Sequence, residues 1–195
     1  MKKLSTYLFL ILFSFSAPSF ADDISDFEIA EMSIGDNLLD YFSEEEILSN
    51  QPYLEIEKEY SFKTVEFYKT IPSEEYDSIS IIYKSNDKKF IIHKIKGAII
   101  YSNNIKDCYS KKNKITEDLS VLFKDVEWEN TEYKDEDGFF SFSTKHLKLG
   151  AIIVACYDWN SKITMEKKWK DNLRVSIETK EYYEWLKSIK PIYSN

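Results

Sequence analysis

Arginine, glycine, proline and histidine are all scarce in this sequence. A single arginine, Arg174, stands against 25 lysines, and there are only four glycines and four prolines. Bidentate recognition of phosphate depends on the planar guanidinium group, so one arginine cannot form an arginine cluster. The glycines are isolated, which leaves no glycine-rich loop to hold a phosphate. These absences argue against nucleotide chemistry.

Only two histidines are present, which excludes a histidine-rich metal site by count. His93 shares strand parity with the isoleucines around it, so we expect it to be a packing residue. His146 lies between lysines, and we expect a solvated loop residue. The sequence therefore offers no catalytic residue, no cofactor-binding residue and no metal ligand that we can name.

Long apolar runs are also lacking, except near the start. Lys2 and Lys3 precede the apolar stretch 7–15, and Ser19-Phe20-Ala21 offers the small residues of a signal-peptidase site. The apolar stretch is shorter than the roughly 20 residues that span a bilayer. We expect residues 1–21 to be a removed signal peptide, and residues 22–195 to form one periplasmic or secreted domain with no membrane span.

The charge of the chain is acidic. Removal of Lys2 and Lys3 with the signal takes the formal charge from −8 to −10. Such a surface repels nucleic acid and anionic lipid. The expected partner is an unidentified envelope protein or a small molecule, and no nucleic acid.

Apolar periodicity predicts three helical segments and six strands. Helical spacing marks a short helix or helical pair in 33–50, a long helix in 105–122 and a closing helix capped by Thr179. Alternating or continuously apolar runs predict strands at 60–68, 78–84, 90–101, 139–143, 151–157 and 173–177. This order predicts an α+β fold: an antiparallel sheet of about six strands with helices packed on one face, compatible with a tandem αβββ arrangement.

Two cysteines invite two interpretations. Cys108 lies on the apolar face of the long predicted helix, and Cys156 lies on one face of an apolar strand. Export would place them in an oxidising compartment, which favours a Cys108–Cys156 disulfide. The alternative is that Cys156 acts as a thiol nucleophile with a histidine base.

Two acidic groups resemble functional sites only superficially. Asp135–Gly138 could begin a calcium loop, but Phe139 falls at an alternate position where an EF-hand needs an oxygen ligand. The same residues fit a hairpin turn. Glu44–Glu46 and Asp40 could supply paired glycosidase carboxylates, but adjacent helical residues point in different directions and fit a solvated helix face.

Aromatic residues are abundant, with 4 tryptophans, 14 tyrosines and 13 phenylalanines. Trp159 and Trp169 lie in a polar segment between two predicted strands, so we expect them to be the most exposed of the tryptophans. Exposed rings can stack on sugars or anchor a partner protein. We therefore identify Trp159 and Trp169 as candidate binding aromatics, with packing within the core or at its rim as the alternative.

Three stretches resemble a family of small exported proteins of unknown function from low-GC marine bacteria. They are Met32–Ile47 ("MSIGDNLLDYFSEEEI"), the cysteine-bearing helix and Leu173–Leu186 ("LRVSIETKEYYEWL"). The resemblance implies no activity and transfers no site residue. The start of the first stretch is also similar to envelope modules of the β-lactamase-inhibitor-protein type, in which a short helix precedes a sheet, although the usual glycine after the helix is missing.

These observations favour an exported, non-catalytic binding or interaction domain of unidentified ligand. A periplasmic enzyme of unrecognised type and a structural partner of the cell envelope are the alternatives. An enzyme requires polar groups that converge in a concave pocket, whereas an interaction domain requires an exposed aromatic surface.

Overall fold

The residues that the structure describes form seven strands and four α-helices. In the computed structural model, residues 24, 27–51, 61–68, 75–102, 104–124 and 126–189 are described. The predicted signal peptide lies outside these residues. A short 3-10 helix at Leu38–Asp40 is followed by α1 (Glu44–Ser49), β1 (Phe62–Tyr68), β2 (Ser78–Lys84), β3 (Ile92–Ile100), α2 (Ile105–Leu122), β4 (Glu129–Lys134), β5 (Gly138–Leu147), β6 (Gly150–Trp159), α3 (Ser161–Lys167), β7 (Asn172–Thr179) and α4 (Lys180–Ile189).

All seven strands form one antiparallel sheet in the order β1-β2-β3-β7-β6-β5-β4. The two meanders β1–β3 and β4–β6 lie on either side of β7, which occupies the centre. The α+β class and the antiparallel sheet are confirmed. The seventh strand is β4, which escaped prediction because all six of its residues are exposed and give no apolar alternation.

The two faces of the sheet are covered differently. On the face packed against α2, here called the α2 face, five β-branched residues lie in register across five strands and are fully buried: Val65, Ile81, Ile95, Ile177 and Ile152. The predicted arrangement places all helices on one face. However, α4 lies on the opposite face, the α4 face, where Tyr182 and Trp185 pack on Phe62 of β1.

The predicted disulfide is present. Cys108 of α2 is bonded to Cys156 of β6, and their Cα atoms are 6.0 Å apart. Both residues are completely buried. The bond joins α2 to the sheet and leaves no thiol on Cys156, so the structure does not support the thiol-nucleophile alternative.

Local signals explain the helix ends. The segment 33–50 forms a helical pair because Ser43 begins a new helix: its hydroxyl accepts from the backbone N–H of Glu46, whose carboxylate accepts from the backbone N–H of Ser43. Thr179 caps α4 as predicted, since its Oγ1 accepts from the backbone N–H of Tyr182. Among the described residues, no helix has the length and apolarity needed to cross a membrane.

Candidate functional site

Aromatic side chains cluster at the end of the α4 face that lies away from α4. Alternation along β6 puts Tyr157 and Trp159 on this face, and strand pairing sets Phe140 beside Tyr157 and Tyr133 beside Phe140. The centroid of Phe140 is 5.3 Å from that of Tyr157, 5.0 Å from that of Trp159 and 6.2 Å from that of Tyr133. With Trp169, these residues are called the aromatic platform.

The platform contains both tryptophans selected from the sequence. Trp169 lies in the loop between α3 and β7, and its ring centroid is 4.7 Å from that of Trp159. Trp169 is 44% exposed, whereas Trp159 is half-buried. The Nε1 of Trp159 is buried and has no hydrogen-bond partner among the described residues. Trp169 therefore presents a contact ring, and Trp159 supports it from below.

The only arginine of the chain lies beside the platform. Arg174 is in the central strand β7, and its Cζ is 3.7 Å from the centroid of Tyr157, a cation–π contact. Its Nε donates to Oδ1 of Asn172 at 2.8 Å. These two contacts orient the guanidinium group along the sheet face.

A second cation, Lys96 of β3, lies diagonally across from Arg174. Lys96 is paired with Ser176, two residues beyond Arg174 on β7, so both side chains occupy the α4 face. Burial and the nearby charge of Arg174 lower the pKa of Lys96 to about 8. The ion pairs formed among the described residues include neither Lys96 nor Arg174. Their mutual repulsion is therefore only weakly offset.

The carboxylate whose charge acts on Lys96 is already hydrogen-bonded. Glu66 of β1 accepts from the hydroxyl of Ser80 at 3.1 Å and from that of Tyr68 at 2.5 Å. The hydrogen bond from Tyr68 to Glu66 raises the pKa of Tyr68 to about 12. Glu66 acts on Lys96 only through its charge, which opposes the lowering of the lysine pKa.

A polar pocket of about 620 Å³ lies on the α2 face, between α2 and the β4–β5 pair. Within it, the Nζ of Lys112 donates to Oγ of Ser141 at 2.8 Å, and both residues are buried. Burial lowers the pKa of Lys112, and the charge of Glu132 opposes this shift. The arrangement brings a serine hydroxyl and a desolvated amine together.

The two histidines lie apart from this pocket and from the platform. The Nδ1 of His93 is 3.2 Å from Oγ1 of Thr179, and the ring packs against Phe62. His146 belongs to β5 rather than to a turn, and its Nε2 is 3.3 Å from a carboxylate oxygen of Glu129. His93 is thus a packing residue, and His146 is exposed.

The acidic segment after β4 forms a hairpin turn. Oδ1 of Asp135 accepts from the backbone N–H groups of Asp137 and Gly138, at 2.8 and 3.1 Å. This is the local hydrogen bonding by which aspartate stabilises turns. In the described part of the chain, no group of three or more His, Cys, Asp or Glu side chains is arranged to hold a metal ion.

Comparison with protein-family models, curated proteins and solved structures found no match to the chain.

Proposed function

We propose that this chain is an exported binding domain, periplasmic or secreted, that contacts its ligand through the aromatic platform. The observation that supports the proposal is the contiguous aromatic group Trp169–Trp159–Phe140–Tyr133, whose two outer rings are exposed and which lies at the end of the sheet away from α4. Tyr133 is 49% exposed and Trp169 is 44% exposed.

The platform has the physical properties of a contact surface. Aromatic side chains offer large contact areas, and rings held on strands lose little conformational freedom when a ligand binds. Tyr133 and Phe140 stack at an interplanar angle of 20°, and Trp159 packs edge-on against Phe140. The rings are thus held in place before the ligand arrives, which lowers the entropic cost of binding.

Site-specific photocrosslinking tests this proposal. The mature protein would carry benzoylphenylalanine in place of Trp169 or Tyr133 and be irradiated with the envelope fraction of its source cells. Benzophenone inserts into C–H bonds of saccharides, lipids and proteins alike. We expect discrete adducts, resolved by mass spectrometry, at the platform positions.

The matched control is Tyr41, which is 42% exposed and follows the 3-10 helix on the α2 side of the molecule. Adducts at the platform but not at Tyr41 support the proposal. Equal products at all three positions, or none at any of them, would show that the platform is not a binding surface.

A second candidate function, hydrolysis, rests on Ser141 and Lys112. In that reaction the Lys112 amine, with its lowered pKa, would accept the Ser141 proton as the hydroxyl attacks an acyl carbon, and would pass the proton to the departing alcohol or amine. Water would then release the acyl group from Ser141. Against it, Ser141 is only 6% exposed and lies in mid-strand, where its backbone is part of the sheet. A fluorophosphonate probe that labels the wild type and Ser143→Ala but not Ser141→Ala would favour this function, and no labelling of the wild type would exclude it.

A further inference from the structure

We infer that the platform, together with Lys96 and Arg174, binds a short saccharide that bears a carboxylate. The inference rests on the proposed function, because it names the ligand of the same surface. It assigns the carboxylate to the two cations and the sugar rings to the aromatic side chains.

The cations are placed to share one anion. Ala98 pairs with Arg174 and Lys96 pairs with Ser176, so the two cationic residues are diagonal neighbours on β3 and β7. Such neighbours are roughly 7–8 Å apart at the backbone. The charge of Arg174 is close enough to lower the pKa of Lys96, so both cations can act on one carboxylate. The Nε of Arg174 is held by Asn172, which leaves the two terminal nitrogens to form a bidentate pair.

The aromatic rings of Tyr157 and Trp159 lie along β6, beyond the position of Arg174 and toward one end of the sheet. Arg174 pairs with Ala155, and Trp159 lies four residues farther along β6, roughly 13 Å away at the strand rise. Tyr157 lies between them, with its ring beneath the guanidinium group. A linear oligosaccharide with an acidic group at one end fits this sequence of charge followed by rings.

Charge favours a small ligand over an acidic protein. The chain as a whole carries a formal charge of −8, so a large acidic partner is repelled by most of its surface. A short acidic saccharide touches only the α4 face, where the cations Lys96 and Arg174 form no ion pair among the described residues and the carboxylate of Glu66 already accepts hydrogen bonds from Ser80 and Tyr68. The apolar C–H face of a sugar also suits the rings, while its hydroxyl groups suit polar residues such as Ser78 on the same surface.

Calorimetric titration with matched acidic and neutral saccharides tests the inference. The probes are trimers of galacturonate, mannuronate and guluronate and a hyaluronan tetrasaccharide, each compared with its methyl ester. We expect at least one acidic probe to bind at least tenfold more tightly than its ester. Arg174→Gln and Lys96→Met should each weaken that binding at least tenfold, whereas Lys114→Met, which makes the same charge change on the exposed face of α2, should not.

The outcomes separate this inference from the proposed function. Equal binding of acid and ester that is lost in Trp169→Ala refutes the role of the cations and keeps the platform. If no saccharide binds but a protein crosslinks at Trp169, the saccharide inference is wrong and the binding function stands. If neither saccharide binding nor platform crosslinking is observed, both are wrong.

Discussion

The disulfide between α2 and β6 allows a quantitative prediction. Its cysteines are 48 residues apart in sequence, and loop-closure entropy for a loop of that size corresponds to about 4 kcal/mol at 25 °C. We expect reduction to lower the free energy of unfolding by about this amount. For a domain of this size, the loss corresponds to a fall in Tm of roughly 8–16 °C.

Urea and thermal denaturation, followed by circular dichroism, measure this effect on oxidised and reduced protein of identical sequence. Alkylation and intact mass confirm that both thiols are free after reduction. The variant Cys108→Ala/Cys156→Ala should reproduce the loss, with a further cost from the missing sulfur atoms in a fully buried site. A change below about 1 kcal/mol with both thiols alkylated would refute the loop-closure argument.

Three further predictions concern ionisable groups. Glu178→Gln should lower the free energy of unfolding, measured by urea denaturation, by about 3–5 kcal/mol, because the charge of Lys94 stays buried without its partner at 2.5 Å. The control Glu184→Gln removes one member of an exposed ion pair and should lower it by less than about 1 kcal/mol. Similar losses in the two variants would contradict this reasoning. Burial lowers the pKa of His93, so the unfolded chain binds the proton more tightly and stability should fall as the pH drops below about 6.5. This fall should be smaller in His93→Gln than in His146→Gln, measured as Tm between pH 7.5 and 5. Lys96→Met should stabilise the protein at pH 7 by up to about 3 kcal/mol, because the folded state holds the pKa of Lys96 down to about 8. The gain in stability should vanish toward pH 10.5, the ordinary pKa of lysine, and a variant less stable than the wild type at pH 7 would contradict the reasoning.

Strands with regular alternation could be predicted from the sequence, whereas departures from regularity could not. The sheet register shifts between Ile82 and Tyr83, which pair with Lys94 and Ile92 and leave His93 as the extra residue of a bulge. His93 therefore faces α4 and packs on Phe62, not on the isoleucine side that its strand parity indicated. Parity carries no signal of a bulge, since the bulge arises from the pairing of two strands.

Only part of the candidate site could be predicted from the sequence, again because strand pairing decides which residues meet. Trp159 and Trp169 stood out by residue type, but Arg174 and Lys96 are brought together by the β3–β7 pairing, which joins residues far apart in the chain. The burial of Lys112 and Lys145 was also not predicted, because lysine side chains are normally exposed to solvent. Lys145 is 1% exposed, and its Nζ lies 5.3 Å from the centroid of the Trp128 ring. No local sequence pattern predicts this contact.

The central position of β7 has a consequence for the order in which the protein can fold. Both meanders precede β7 in the chain, yet each pairs with the other only through it. Until residues 172–179 are available, the inner strands β3 and β6 both present unpaired backbone edges, which are sites of aggregation. A nascent chain would thus hold two incomplete half-sheets that cannot pair with each other. The pairing of β7 with β3 and β6 is the step that completes the sheet.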